Sequence, residues 1–124
     1  MELVKCDKKY WDFVLSLRND LKEDFITQKN IGFYEHEKFM DKNHSNYLIC
    51  LEEKNPIGFI GSLDKDIRIA VVKSHQKKGV GRFILQKFIK THPDAFAKVK
   101  IHNSKSIALF ESCGFKKKYY ILER

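Results

Sequence analysis

The spacing of the hydrophobic residues changes along the chain between strand-like runs and helical periods. A first apolar run predicts a strand at 3–6, and Asp7 follows it in the position of a helix N-cap. The helical spacing that begins there predicts a helix to about residue 22. After a weakly patterned stretch, apolar residues return at helical spacing and predict a second helix over 33–42.

Strands and helices alternate in the rest of the chain. Apolar runs of strand length are separated by turn signals such as the one at 53–56. The order of elements predicts a mixed α/β or α+β arrangement, with helices packed around one sheet. The predicted strands cover 47–51, 57–61, 67–72, 99–102 and 119–122, and the predicted helices cover 79–90 and 104–113.

Length and composition limit the chain to one small domain. Its 124 residues are 43% hydrophobic, which suffices for one core and predicts a single domain over 1–124. No apolar run approaches the roughly 18 residues of a membrane helix, and the first residues lack the apolar core of a signal peptide. We therefore expect a cytoplasmic protein with no membrane partner.

The spacing of cysteine and histidine argues against metal and disulfide chemistry. Cys6, Cys50 and Cys113 are far apart and form no C-x-x-C pair, and the five histidines lack ligand spacing. We expect no bound metal, and we interpret the cysteines as reduced core residues.

The charge balance favours an anionic partner. Lys and Arg number 24 against 16 Asp and Glu, for a formal net charge of +8. Nucleic acid, a nucleotide cofactor, an acidic sugar and phosphate all fit that charge. A nucleic-acid-binding module is the weaker alternative, because the lysines are scattered, the aromatic residues recur at core spacing, and no RRM, KH or helix-turn-helix pattern occurs.

The most informative stretch is a basic loop that joins a predicted strand to the predicted helix 79–90. The loop contains Lys77 and Lys78 and ends in Gly79 and Gly81. Amides at a helix N-terminus are unpaired, and glycines let a diphosphate approach the main chain, so the loop predicts a pyrophosphate site. It matches neither the Walker A loop nor the Rossmann fingerprint. On spacing alone, the alternative that the glycines merely begin a helix beside solvated lysines stays open.

Two linked motifs resemble the GNAT superfamily of N-acetyltransferases. The segment 76–81, Q-K-K-G-V-G, is similar to the family's Q/R-x-x-G-x-G/A loop, and 69–71 resembles the strand that leads into it. Downstream, Asn103 and 106–115 resemble the family's N-x-x-A element and its L-Y-x-x-x-G-F continuation. The resemblance implies an N-acetyltransferase that uses acetyl-CoA. It also implies a mixed, mostly antiparallel sheet of six to seven strands, flanked by about four helices, with splayed central strands that hold the cofactor.

The resemblance also implies which residues hold acetyl-CoA. The pantetheine arm would lie along the backbone of 69–71, and the pyrophosphate would meet the backbone amides of 77–82. Asn103 and Ser106 would contact the pantetheine or adenosine side. The implied cofactor residues are Ile69, Ala70, Val71, Gln76, Lys77, Lys78, Gly79, Val80, Gly81, Arg82, Asn103 and Ser106.

The catalytic groups depart from the family pattern in two ways. Members transfer the acetyl group by direct attack of an amine, which a general base helps to deprotonate. Many carry Glu near the start of the fourth strand. This chain has Asp66 as the first candidate for the base and Asp64 as the second, and the alternative is that both are solvated acids in a turn.

Many members also carry a tyrosine that protonates the leaving thiolate, where this chain has Phe110. The candidate substitutes are Tyr119, Tyr120, Ser112 and water, or the thiolate leaves unprotonated.

The N-terminal half resembles one GNAT subgroup. Segments 17–20 and 33–39 are similar to its W-R-N and E-H-x-x-W/F patterns, with Leu17 in place of Trp. That subgroup includes enzymes for amino sugars of nucleotide-linked or nonulosonic-acid pathways and enzymes for protein N-termini. The resemblance implies a small-molecule amine acceptor, an amino sugar, with protein N-termini as the alternative. The implied acceptor residues are Arg18, Asn19 and His36, and ordinary helix-surface charge is the alternative for them.

The end of the chain leaves room for one predicted strand. Nine residues follow Phe115, so the family's seventh strand is either missing or supplied by a neighbouring subunit. An unpaired sheet edge would favour a homodimer. An acyl-CoA binder without catalytic activity is a further alternative, because Phe110 and the unassigned base weaken the catalytic pattern.

Overall fold

A computed structural model describes residues 1–26 and 29–124. The strands are β1 (Glu2–Lys5), β2 (Tyr47–Glu52), β3 (Asn55–Leu63) and β4 (Asp66–Val71). The α-helices are α1 (Trp11–Asp20), α2 (Phe33–Asn43), α3 (Val80–Thr91) and α4 (Ser104–Ser112). Short 3-10 turns lie at Lys8–Tyr10, Lys22–Asp24, His44–Asn46 and Lys73–His75.

The four strands form one antiparallel sheet in the order β1-β2-β3-β4. Two-residue turns join β2 to β3 and β3 to β4. Both residues of each turn have positive φ, 49° and 68° at Glu53 and Lys54 and 50° and 72° at Asp64 and Lys65. Turns of this kind match the right-handed twist of the strands and fix the register of a hairpin. This meander places β4 at one end of the sheet.

Alternation along the strands sends side chains into two cores, one on each face of the sheet. The core under α1 and α2 includes Trp11, Val14, Leu17, Met40, Tyr47, Phe59 and Ala70. The core under α3 and α4 includes Ile60, Ile67, Val80, Ile84, Leu85, Phe88 and Phe110. The predicted mixed α+β class, with an antiparallel sheet and four α-helices, is confirmed.

Two predicted strands, 99–102 and 119–122, are wrong, and the sheet has four strands instead of the expected six to seven. Apolar alternation is a local property, but a strand forms only where a neighbouring strand supplies hydrogen-bond partners. In the described part of the chain neither segment has such a neighbour. Ile101 is 74% exposed and Leu122 is 92% exposed.

The chain touches β4 once more after α3 and then leaves it. Asp66 and Phe96 form a single parallel bridge. In it, Ile67 N donates to Phe96 O and Phe96 N donates to Lys65 O, both at 2.8 Å. No further pairing follows among the described residues, so a gap opens between β4 and the irregular segment 97–103. This gap lies where splayed strands were expected.

The first helix is shorter than predicted. Asp7 has an extended backbone, but its side chain forms no cap hydrogen bond, and a 3-10 turn leads into α1. Trp11 instead connects the start of α1 to the residue that follows β1, since its Nε1 donates to Cys6 O at 3.3 Å. The α-helix ends at Asp20, and a second 3-10 turn follows.

Candidate active site

The gap beside β4 contains a cavity of about 190 Å³. Its walls come from the end of α1, the segment that follows it, β4, residues 98 and 99, and α4. The fold thereby brings together residues that are far apart in sequence. The sequence-predicted site residues that line the cavity are Arg18, Asp66, Ile69, Asn103 and Ser106.

β4 gives the cavity a polar side and an apolar side. Successive side chains of a strand point to opposite faces, and Ala70 belongs to the core under α1 and α2. Asp66 and Arg68 therefore face α1 and α2. Ile67 and Ile69 pack with the core under α3 and α4. The gap is therefore lined by charged side chains from one face of β4 and by apolar side chains from the other.

The loop after β4 presents main-chain amides at the start of α3. The helical ladder begins where Phe83 N donates to Gly79 O at 3.0 Å. The amides of the helical residues before Phe83 have no acceptor inside the helix, because helix geometry leaves the first turn unpaired. Gln76 Nε2 donates to Val71 O at 3.0 Å and ties the loop to the end of β4.

Gly79 leaves the space in front of these amides open. It precedes α3 with a φ of +80°, in the left-handed region that favours glycine. A Cβ built at this position has no heavy atom within 4 Å. Lys77 and Lys78 are exposed in the same loop. Open space, the positive end of a helix and two cations together fit a diphosphate group.

Gly81 has a packing role that the sequence did not indicate. A Cβ at this position would lie 3.3 Å from Leu109 Cδ2 and 4.0 Å from Val71 Cγ2. The missing side chain therefore lets α3 approach α4 closely. The amide of Gly81 still belongs to the unpaired first turn of α3.

Helix α4 begins at the gap. Asn103 caps it, since its Oδ1 accepts a hydrogen bond from Ser106 N at 3.1 Å. Phe110 also lines the cavity, and its buried ring packs edge to face on Phe115 with centroids 5.1 Å apart. The Phe110 ring gives the cavity apolar surface and has no proton to donate.

Asp66 is the predicted acid that reaches the cavity. Its side chain is 15% exposed, and Oδ2 lies 3.5 Å from Arg68 Nη2. Asp64 lies in the exposed turn before β4, outside the described lining. Tyr119 is 91% exposed and also lies outside that lining. The structure brings Asp66 to the gap and leaves the other two candidates away from it.

Arg18 is the predicted acceptor residue that lines the cavity. It extends from the last turn of α1, and its guanidinium stacks on Phe25, with Cζ 4.3 Å from the ring centroid. Burial, and after it the charge of Arg68, lowers the pKa of Arg18. Two guanidinium groups therefore act on each other at this side of the gap.

Asn19 and His36 contact main-chain groups of neighbouring elements. Asn19 Nδ2 donates to Ile31 O at 3.2 Å, and Ile31 N donates to Asn19 Oδ1 at 2.9 Å. His36 is 4% exposed, and its Nε2 donates to Trp11 O at 2.7 Å. These bonds connect α1 to α2 and to the segment before it. A contact of either side chain with an acceptor stays a prediction.

Three residues that the sequence did not indicate as site residues also line the cavity: Arg68, Lys98 and Asp24. Strand alternation was a usable signal for Arg68, because it puts this residue on the same face as Asp66. Lys98 and Asp24 lie outside the strands and α-helices, where no periodic pattern indicates which way a side chain points.

A model of the acetyltransferase (GNAT) family matches residues 14–115. The matched range includes the basic loop, the gap beside β4 and both motifs that carried the resemblance. The chain belongs to the acetyltransferase (GNAT) family. It is an N-acetyltransferase that uses acetyl-CoA.

Solved structures of several N-acetyltransferases share the fold of this chain. Ribosomal-protein-alanine N-acetyltransferase from Brucella melitensis has a TM-score of 0.79 and 16% identity, over 94% of this chain and 85% of that one. Spermidine N-acetyltransferase from Vibrio cholerae, in complex with CoA and spermine, has a TM-score of 0.80 and 20% identity, over 99% and 85%. N-acetyltransferase from Staphylococcus aureus has a TM-score of 0.78 and 21% identity, over 93% and 82%. A search of curated protein sequences gave no match.

Two further properties of this acetyltransferase follow from its described residues. These residues contain no helix of the length and hydrophobicity that crossing a membrane requires. They also contain no group of three or more His, Cys, Asp or Glu side chains that could hold a metal ion.

Burial, and after it the charge of Asp7, raises the pKa of Cys6 to about 12. The Cys6 thiol therefore stays protonated at neutral pH and is not a nucleophile.

Proposed function

We propose that this acetyltransferase transfers the acetyl group to the amine of a small amino sugar or a nucleotide-linked amino sugar. The observation that carries the proposal is the gap beside β4, which is polar toward α1 and α2 and apolar toward α3 and α4. The acceptor enters from the polar side and the cofactor from the other. The resemblance of 17–20 and 33–39 to the amino-sugar subgroup supports this acceptor class.

The cofactor lies along the outer edge of β4 and over the start of α3. After its single bridge, β4 has no strand partner on this edge among the described residues. The main-chain groups of 69–71 that face away from β3 are therefore available to the pantetheine arm, except Val71 O, which accepts from Gln76. Lys77, Lys78 and Arg82 surround the α3 amides and offset the charge of the diphosphate. When bound, acetyl-CoA supplies an acetyl group that is activated as a thioester. The other proposed cofactor contacts are Gln76, Gly79, Val80, Gly81, Asn103 and Ser106.

Asp66 is the proposed general base. An alkyl primary amine has a pKa of about 10, so freeing its lone pair at pH 7 costs about 4 kcal/mol, and the less basic amine of an amino sugar costs less. The Asp66 carboxylate lines the cavity and accepts this proton directly or through a water molecule. The amide near Val71 polarises the carbonyl group that the amine attacks. Because Phe110 has no proton and Tyr119 lies outside the lining, we favour water as the donor to the departing sulfur.

The test measures release of CoA from acetyl-CoA with a panel of amines. The panel contains glucosamine, a nucleotide-linked amino sugar, a peptide with an N-terminal alanine, and spermidine. The last two match the acceptors named for the Brucella and Vibrio enzymes. We expect the highest kcat/KM with an amino sugar. A higher value for the peptide or for spermidine would replace this acceptor class, and no release with any amine by protein that binds acetyl-CoA would contradict the proposed reaction.

A further inference from the structure

Cations outnumber carboxylates around the gap. Arg18, Arg68 and Lys98 line the cavity, together with the carboxylates Asp24 and Asp66. The Arg68 and Asp66 side chains lie 3.5 Å apart, where a partly exposed pair attracts only weakly. The lining as a whole therefore carries a net positive charge.

Arg18 and Arg68 repel each other in this cavity. The charge of Arg68 acts on Arg18 strongly enough to lower its pKa, after the larger effect of burial. Two like charges that share a cavity repel more strongly as water is excluded from it. An anion between them would offset the repulsion and would accept hydrogen bonds from both guanidinium groups.

Both guanidinium groups project from regular elements. Arg18 is in the last turn of α1, with its Cζ 4.3 Å from the centroid of the Phe25 ring. Arg68 is in the middle of β4, which pairs with β3 along its whole length. Groups that are already in place lose less conformational entropy when a ligand binds. The main chain that carries each arginine, and the stacked guanidinium of Arg18, are thus in place before any acceptor arrives.

We propose that the acceptor carries a carboxylate or a phosphate, and that this anion binds to Arg18 and Arg68. This inference rests on the proposed function, because it assigns the acceptor side of the same gap. The same charges disfavour a polycation such as spermidine. The Vibrio cholerae enzyme, which was crystallised with spermine, then shares the fold of this chain and differs from it in acceptor.

The kinetic test uses four amines at saturating acetyl-CoA. Glucosamine is neutral apart from its amine, glucosamine 6-phosphate adds a phosphate, muramic acid adds a carboxylate, and spermidine adds positive charge. We expect at least one anionic sugar to exceed glucosamine in kcat/KM by about tenfold or more, and spermidine to fall below glucosamine. The anionic sugar with the higher kcat/KM shows whether the site prefers a phosphate or a carboxylate. Equal values for glucosamine and both anionic sugars, or a preference for spermidine, would overturn the proposal.

Variants locate the anion site. Arg68→Gln is expected to reduce the advantage of the anionic sugar about tenfold. Arg124→Gln removes the same charge from an exposed position outside the site and is expected to keep that advantage. Arg18→Lys keeps the positive charge and the aliphatic part of the side chain but loses the guanidinium, which can donate two parallel hydrogen bonds to an anion. It is therefore expected to reduce the advantage of the anionic sugar in kcat/KM without unfolding the protein. An unchanged advantage in both Arg68→Gln and Arg18→Lys would overturn the assignment.

A binding measurement separates this inference from the proposed function. Glucosamine 6-phosphate and glucosamine are titrated by calorimetry into protein saturated with CoA, so that the loop at α3 is already occupied. Tighter binding of the phosphate sugar, lost in Arg68→Gln, supports the anion site even if no amine is acetylated. Acetylation of amines without any Arg68-dependent preference would reject the anion site and leave the proposed function standing.

Discussion

Asp66 has the two properties that a general base in this gap requires. Its carboxylate lines the cavity, and its side chain is 15% exposed, which leaves water access for the proton. We predict that Asp66→Asn lowers kcat by about 10²–10⁴-fold, because an amide cannot accept the proton. Steady-state kinetics at saturating acetyl-CoA and amine measure this effect.

Asp64 provides the comparison for Asp66, because it lies two residues earlier in the exposed turn and outside the cavity. Asp64→Asn is expected to leave kcat unchanged. An unchanged kcat for Asp66→Asn combined with a lowered kcat for Asp64→Asn would move the base to the turn.

Gly79 is expected to affect both the stability of the fold and the binding of the cofactor. Its φ is +80°, so Gly79→Ala is expected to lower the free energy of unfolding by about 1–2 kcal/mol. The same change adds a methyl group in front of the α3 amides and is expected to weaken acetyl-CoA binding. Urea denaturation and calorimetric titration with acetyl-CoA measure the two effects.

Gly114 supplies a matched control for Gly79. It has a φ of +91°, and its Cβ position is equally open, but it follows α4 and lies outside the basic loop. Gly114→Ala should therefore lose similar stability and keep its affinity for acetyl-CoA. Equal losses of affinity in the two variants would mean that strain, and not the approach of the diphosphate, explains the result.

Among the elements, the last three helices were predictable to within a residue, whereas the ends of α1 and the last strands were not. The predictions 33–42, 79–90 and 104–113 correspond to α2, α3 and α4, because helix periodicity and end signals are contained in the segment itself. The alternation at 99–102 carries no information about whether another strand lies beside it. The described chain provides no such strand, so the predicted segment is irregular.

The candidate site also has one part that the sequence predicted and one part that it did not. The basic loop and its glycines occupy contiguous positions, so the sequence alone indicated an anion site at the start of α3. Arg18, Arg68 and Lys98 come from three separate segments, and only the folded chain shows that they line one cavity. Their common function could not be derived from spacing.

The cap of α4 connects helix stability to the gap. Asn103→Ala is expected to lower the free energy of unfolding by about 1 kcal/mol, because Ser106 N loses its acceptor. Asn103→Asp keeps an oxygen at the same place and is expected to lose much less. Equal losses in urea denaturation would contradict a capping role for Asn103.

For the whole molecule, the surface offers a way for two copies to associate. Residues 119–122 form an exposed apolar run, and Tyr119 and Leu122 are more than nine-tenths exposed. Exposed apolar segments and free sheet edges favour pairing between chains. We predict a homodimer whose mass by light scattering falls to that of a monomer when Ile121→Lys and Leu122→Lys are combined. A monomeric wild type, or a dimer unaffected by both changes, would contradict this prediction.

Hydrogen–deuterium exchange with and without saturating acetyl-CoA tests most directly whether the cofactor lies along β4 and over the start of α3. Slower exchange is expected on cofactor binding within 69–71 and 77–82, because the amides that face the gap or begin α3 gain acceptors from the pantetheine arm and the diphosphate. The strands β1 and β2, which lie away from the gap, should be unchanged. Binding of acetyl-CoA without protection at 69–71 and 77–82 would contradict the account.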